Sequence, residues 1–374
     1  MKKVIEGSHA IAEAVKLCEP GVIAAYPITP QTHIIERLAE MVADGEVKAK
    51  YVNAESEHSA ISLCLGAQAT GVRTFTASSS QGLALMYEVL YIVSGMRLPI
   101  VMAVANRALS APLNIWNDWS DSFGARDSGW IQLYCESAQE AFDTVIQAYK
   151  IAESEKVSLP VMVCIDGFFL SHVYEPVDIA DPKLVKKFLP QYSGQAIDFD
   201  APVSQGMWAG PDHYQEFKMQ QHEAMRWAKE AIRETNSEFR KVFGRSYGNG
   251  LVETYNMENA KYALVTMGSL AGTAKHIIRE KKIEDMGLIR VKSFRPFPMA
   301  EIKKAIKDVE SIGVLEKDIS PGLGGVLCYE IRGLVKNKNV STFVGGLGGR
   351  DVKIDDFMKI FRDIRQERRG LIWV

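Results

Sequence analysis

The sequence predicts an α/β protein: a parallel-sheet domain followed by a smaller α/β domain. Three observations carry this. Strand-like and helix-like runs alternate from Val22 to Ile165. The strand-like runs are apolar throughout, as when helices cover both faces of a sheet. Three of them stop in polar residues: 51–53 before Glu55-Ser56-Glu57, 72–76 before Ser78-Ser79-Ser80-Gln81-Gly82, and 100–105 before Asn106-Arg107. In a parallel sheet those ends share one edge, where open α/β sheets bind ligands. Glu57 and Arg107 then face a common cleft.

The elements follow in order. Residues 8–18 form an amphipathic helix with Ser8 as candidate N-cap, ended by Pro20-Gly21. Strand 22–26 runs into Pro27-Ile28-Thr29-Pro30-Gln31-Thr32, a loop stiffened by two prolines. A helix spans 32–42. After strand 51–53, Ser56 can cap a helix over 57–67, whose small and apolar residues predict burial over most of its circumference. Strand 72–76 leads to a second buried helix, 83–93. Residues 108–130 follow neither period, and a loop this long in a compact domain is usually functional. A helix over 137–153 and strand 161–165, ending in Asp166-Gly167-Phe168-Phe169, complete a first domain at 1–175. Residues 176–260 read as a linker whose second half is a long helix, 212–243, stopped by Gly244 and Gly248-Asn249-Gly250. The second domain, 261–374, has strands at 262–267, 288–291, 311–315 and 341–344. Its helices lie near 270–282, 299–308, 324–336 and 354–367.

Composition narrows the function classes. A chain of 374 residues exceeds one core of usual size. Lys+Arg 44 against Asp+Glu 46 gives a net charge of −2, which argues against a nucleic-acid partner. No apolar run reaches the ~18 residues of a membrane span. Met1-Lys2-Lys3-Val4-Ile5-Glu6-Gly7 lacks the apolar core of a signal peptide, so a cytoplasmic protein is expected. Cys18, Cys64, Cys135, Cys164 and Cys328 show no CxxC spacing. Buried free thiols are expected, with no disulfide framework, zinc site or iron–sulfur cluster in this chain. Gly322-Leu323-Gly324-Gly325 does not fit the dinucleotide fingerprint.

Each polar strand end also has a plain alternative. Glu57 in a first helical turn interacts favourably with the helix dipole. Arg107 can form an interdomain ion pair. The serines at 78–80 can simply start a helix, although free N–H groups there also bind anions. Tyr26-Pro27-Ile28-Thr29-Pro30 can be a rigid turn. The residues alone leave these alternatives open, and their placement at successive strand ends favours a site.

Five segments in this order resemble the 2-oxoacid:ferredoxin oxidoreductases, and within them the alpha subunits of the pyruvate enzymes. They are Tyr26-Pro27-Ile28-Thr29-Pro30-Gln31-Thr32, Glu55-Ser56-Glu57-His58, Thr76-Ala77-Ser78-Ser79-Ser80-Gln81-Gly82, Asn106-Arg107-Ala108-Leu109-Ser110-Ala111-Pro112 and Asp166-Gly167-Phe168. Ser293-Phe294-Arg295-Pro296-Phe297-Pro298 and Gly345-Gly346-Leu347-Gly348-Gly349-Arg350-Asp351 extend the resemblance over essentially the whole chain.

The resemblance implies a thiamine-diphosphate pyrimidine-binding-type domain, then a transketolase C-terminal-like domain. It implies oxidative decarboxylation of pyruvate to acetyl-CoA and CO2, and the reverse synthesis, with electrons passed to ferredoxin and coenzyme A as co-substrate. By the same resemblance Glu57 is the acid on the cofactor's pyrimidine nitrogen, a general acid–base role. Arg107 holds the substrate carboxylate, and Thr29 hydrogen-bonds the substrate. Ile115 lines the pocket, and Ser80 and Gln81 lie on the cofactor side. The Gly-Asp-Gly…Asn magnesium motif and the cluster cysteines of the family are missing. Mg2+ and [4Fe-4S] clusters are therefore expected in beta, gamma and delta-type partner subunits, with thiamine diphosphate shared between chains and no metal ligand here. A dimer of hetero-oligomers is expected. Trp119 departs from the histidine or glutamine of many relatives. The alternatives are the same chemistry on 2-oxobutyrate, 2-oxoisovalerate, 2-oxoglutarate or oxalate, or a transketolase-like thiamine enzyme subunit. A second substrate carboxylate would need another arginine, with Arg97 and Arg126 as candidates.

Overall fold

A computed structural model describes residues 1–374 except Gln195, Phe199 and Lys336. The chain opens with β1 (Lys2–Glu6), α1 (Gly7–Leu17), β2 (Val22–Ala25), α2 (Thr32–Ala43), β3 (Lys50–Asn53), α3 (Glu57–Ala69) and β4 (Thr74–Ser78). It continues through α4 (Ser80–Leu85), α5 (Tyr87–Gly95), β5 (Val101–Asn106), α6 (Ser120–Gly124), β6 (Ile131–Tyr134), α7 (Ala138–Ala152) and β7 (Val161–Asp166). Next come β8 (Tyr174–Asp178), α8 (Pro182–Phe188), α9 (Pro211–Phe243), β9 (Val252–Tyr255), β10 (Tyr262–Thr266), α10 (Gly268–Glu280), β11 (Met286–Val291) and β12 (Ser293–Arg295). The last elements are α11 (Met299–Ala305), β13 (Ser311–Glu316), α12 (Val326–Arg332), β14 (Asn339–Val344), α13 (Ile354–Arg365) and β15 (Leu371–Trp373).

Among the described residues the strands form three sheets. The N-terminal sheet has seven strands in the order β12-β6-β7-β5-β4-β2-β3, parallel except for β12. The C-terminal sheet has six, β15-β14-β13-β10-β11-β9, parallel except for β9. β1 and β8 pair as an antiparallel ribbon. β4, β5 and β7 are buried at every position, which explains the apolar runs of β5 and β7, while β4 buries Thr74, Thr76 and Ser78 as well. Among the described residues no helix is long and apolar enough to cross a membrane.

Several expectations need correction. Ser8 is not an N-cap: α1 begins at Gly7 with Glu6 before it, and the Ser8 hydroxyl is buried without a partner. The expected helix 83–93 is two helices meeting at Met86, with Leu85, Tyr87 and Ile92 on an exposed face. On α3, Ala60, Ile61, Cys64 and Ala69 are buried but Ser62, Leu63 and Gly66 are exposed, so the burial expected over most of its circumference holds for one face only within this chain. The segment 108–130 contains α6. β1, β6, β8, β9, β12 and β15 carry no legible strand signal. Lys336, the last residue of the helix expected over 324–336, lies outside the described residues.

Two of the devices that join the sheets lie side by side. β12 adds itself to the edge of β6, with Ser293 opposite Leu133. Beneath it Glu140 of α7 is buried and accepts from Arg290 Nη2 at 2.9 Å and Lys292 Nζ at 2.7 Å. Burial alone would raise the Glu140 pKa, but the two cations hold it down at about 2.

Candidate active site

The C-terminal ends of β2, β4, β5 and β7 converge on one edge, where Asn106 stands in register with Asp166. Asp121, from the start of α6, ties this edge together. Its Oδ2 accepts from the backbone N–H groups of Ser80 and Arg107, both at 2.9 Å. Its Oδ1 accepts from Asn106 Nδ2 at 2.8 Å and Ser122 N at 2.7 Å. Burial raises its pKa to about 6 against these four donors. Asp121 stands in the irregular segment, and nothing in its spacing announces this role.

Glu57 opens α3. Ser56 caps the helix as expected, its Oγ accepting from Ser59 N at 3.2 Å. The Glu57 side chain is only 6% exposed, and among the described residues no hydrogen bond or ion pair reaches its carboxylate. It lies against Gly82 of α4. A Cβ at Gly82 would stand 2.5 Å from Glu57 Oε1 and 2.7 Å from Ser78 Oγ. The Ser78 hydroxyl is buried without a partner. A buried hydroxyl without a partner at the mouth of a sheet is costly unless something outside the chain completes it.

Arg107 ends β5 and is 7% exposed. Its Nε donates to the Asn114 carbonyl at 2.9 Å and its Nη1 to the Thr29 carbonyl at 3.0 Å. No carboxylate pairs with it among the described residues. Burial lowers its pKa, opposed by Asp121. Among the described residues two of its five donors are thus used and no carboxylate bonds the guanidinium, which fits an oxyanion from elsewhere.

The other expected residues fall around this pair. Thr29 meets Arg107 directly through its carbonyl, with its side chain exposed. Ser80 is fully buried at φ +46°, with its hydroxyl 2.5 Å from the Ala108 carbonyl and 2.6 Å from Gln81 Oε1. It therefore fixes the loop after β5 to the start of α4. Ile115 and Trp116 are exposed on that loop. Trp119 lies in the core, its Nε1 donating to Asp166 Oδ1 at 2.8 Å, so the family departure faces no open space. Arg97 donates to the Val157 and Ser158 carbonyls at the opposite end of β5, roughly 20 Å from Arg107. Arg126 bonds the Phe123 carbonyl. Neither joins Arg107. Among the described residues no group of three His, Cys, Asp or Glu side chains could hold a metal, and the cysteines are buried and free.

Two family models match the chain. Residues 13–237 match "Pyruvate flavodoxin/ferredoxin oxidoreductase, thiamine diP-bdg", and 260–357 match "Pyruvate:ferredoxin oxidoreductase core domain II". The pyruvate synthase subunit PorA of Methanocaldococcus jannaschii is 55% identical, covering 100% of this chain and 97% of its own. That of Methanothermobacter thermautotrophicus is 49% identical, covering 100% and 97%. The ketoisovalerate oxidoreductase subunit VorA of Pyrococcus horikoshii is 42% identical, covering 98% and 94%. Among solved structures, the 2-oxoglutarate:ferredoxin oxidoreductase of Magnetococcus marinus superposes with a TM-score of 0.76 at 20% identity. The match covers 98% of this chain but only 65% of that longer one. A split-gene transketolase matches with a TM-score of 0.57 at 11% identity, covering 98% and 100%. These two attest to the fold alone. On the two family models and the full-length relatives, the chain belongs to the pyruvate flavodoxin/ferredoxin oxidoreductase family.

Proposed function

We propose that this chain is the alpha subunit of a thiamine-diphosphate-dependent pyruvate:ferredoxin oxidoreductase. The observation that carries it is Arg107: a nearly buried guanidinium with no carboxylate bonded to it among the described residues, at the sheet edge that also holds Glu57. Relatives named for pyruvate at 55% and 49% identity, against 42% for a ketoisovalerate subunit, support pyruvate as the substrate.

The residues fit the cofactor. The unpartnered Glu57 carboxyl suits a ring nitrogen that needs a hydrogen bond, and the unpartnered Ser78 hydroxyl beside it suits a second polar group. Thiamine diphosphate, when bound, supplies the electron sink for decarboxylating a 2-oxoacid. Glu57 would hold the pyrimidine nitrogen and exchange a proton at its carboxylate oxygen. Arg107 would grip the substrate carboxylate with its remaining N–H groups. Thr29 would add a hydrogen bond from its exposed side chain, and Ile115 would close the apolar side. Ser80 and Gln81 would keep the wall beside the cofactor in place.

The diphosphate, its Mg2+ and the [4Fe-4S] clusters belong in this reading to beta, gamma and delta-type partners. The exposed apolar face of α3, α4 and α5 beside Glu57 is where a partner's half-site would sit. Coenzyme A accepts the acyl group and ferredoxin the electrons.

Purified with its partner subunits, the complex should reduce ferredoxin with pyruvate and coenzyme A. The expected order is pyruvate, then 2-oxobutyrate, with 2-oxoglutarate and oxalate far behind. An added methylene costs about 1–3 kcal/mol in an apolar pocket, whereas a second, unpaired carboxylate costs more. A preference for 2-oxoglutarate or oxalate would overturn this assignment.

A further inference from the structure

The glycine-rich turn Gly345-Gly346-Leu347-Gly348-Gly349 stands far from Arg107 in sequence, and the function proposed above gives it no task. It follows β14 at the end of a strand of the C-terminal sheet. Gly346, Gly348 and Gly349 have φ of +80°, +55° and +80°, a region that side chains disfavour. Space is short as well. A Cβ at Gly348 would stand 2.6 Å from Asn114 Nδ2, and one at Gly349 2.3 Å from Trp116 Cβ. The turn is therefore a seat moulded to residues 114–118 of the loop after β5.

The bonds across this seat are specific. Asn114 Nδ2 donates to the Gly348 carbonyl at 3.1 Å, and Gly349 N donates to the Asn117 carbonyl at 2.7 Å. Gly348 N donates to Asp118 Oδ2 at 3.4 Å. Lys317 Nζ donates to Asn117 Oδ1 at 2.9 Å, and the Lys317 carbonyl accepts from Trp119 N at 2.8 Å. At the front of the loop Asn114 works in both directions. Its Oδ1 accepts from Trp116 N at 2.6 Å, closing a tight local turn. Its backbone carbonyl accepts Arg107 Nε at 2.9 Å.

We propose that Asn114 is a positioning residue for substrate binding, and that the glycine turn of the C-terminal sheet aims the Arg107 guanidinium through it. The inference rests on the reading of Arg107 as the carboxylate-binding group. Arg107 is held by only two carbonyls. That of Thr29 comes from a proline-stiffened loop of the N-terminal sheet. That of Asn114 is nearest the side chain the turn clasps, so the clasp fixes it most directly, backed by the bonds that hold residues 116–119. Without the clasp the guanidinium keeps its charge and loses one of its two directional supports, so its fork no longer meets both carboxylate oxygens.

The test is a double-mutant cycle in the assembled complex with its partner subunits, using pyruvate as the probe. Asn114→Ala should raise KM for pyruvate about tenfold, the scale of one charge-assisted hydrogen bond. Its kcat and thiamine diphosphate affinity should stay within about twofold of the parent. Asn114→Asp keeps the size and the bond from Trp116 N but cannot donate to Gly348, so it should reproduce the effect. Gly348→Ala should do the same from the other side of the seat. In an Arg107→Ala background, Asn114→Ala should add nothing, because its effect passes through Arg107. If Asn114→Ala raises KM equally with and without Arg107, or if both Asn114→Asp and Gly348→Ala leave KM unchanged, the inference is overturned. If Arg107→Ala itself leaves KM for pyruvate unchanged, the reading of the site beneath it fails instead.

Discussion

Glu57 holds a carboxylate in the first turn of α3 although Ser56 already fills the cap. The helix dipole repays part of its burial, about 0.3–1 kcal/mol for such a position. An unpaired buried charge costs more than that. Glu57→Gln should therefore leave the melting temperature unchanged or raised, while turnover in the assembled enzyme falls roughly 10²–10⁴-fold, as when acid–base assistance is lost. Near-normal turnover with reduced stability would mark Glu57 as a dipole partner only. Arg107 stands out in the sequence because it follows an apolar strand, where a polar residue needs a reason, whereas Glu57, in the first turn of α3, is singled out by the family resemblance. Asp121 is not legible. Its importance comes from three backbone amides and one side-chain amide that only the fold brings to it. Trp119 reads as a possible specificity residue by its odd identity, yet its bond to Asp166 makes it core.

Helix α4 owes its approach to α3 to Gly82. Alanine there would gain in helix propensity but would press a methyl group onto Glu57 Oε1 and Ser78 Oγ. Gly82→Ala should keep the fold, as read by circular dichroism, and cut turnover about 10- to 100-fold by displacing the acid. Turnover within twofold of the parent would show that the carboxylate has room to move aside. At this scale the buried strands β5 and β7 are legible because both faces demand apolar residues. The short β6, β12 and β15 are not, because pairing with distant partners, rather than local pattern, makes them strands. The exposed faces of α3 and α5 are misread for a related reason. Apolar periodicity reports burial against something, and the function proposed above would put that neighbour on a partner subunit.

Glu140 is one of the groups that tie the two sheets together. Its pKa is about 2 in the folded chain against about 4.3 in the unfolded one. A depressed carboxylate stabilises fully above its unfolded pKa, and that contribution is lost as pH falls. Acid unfolding followed by fluorescence should therefore steepen between about pH 4 and pH 2. Glu140→Gln should remove much of that steepness. At neutral pH it should cost about 3–5 kcal/mol, because Arg290 and Lys292 stay buried with less compensation. An unchanged acid transition would place the coupling elsewhere, on β12 or on the bonds of Lys317.

β12 sets a condition on how the protein is made. The edge of β6 is complete only when Ser293–Arg295 lies along it, and those residues are translated long after Tyr134. At roughly 5–20 residues per second, a ribosome leaves that edge bare for about 10–30 s. An open parallel sheet with a bare edge is a template for pairing with a neighbouring nascent chain. A truncated chain ending before Ser293 would keep that hazard permanently.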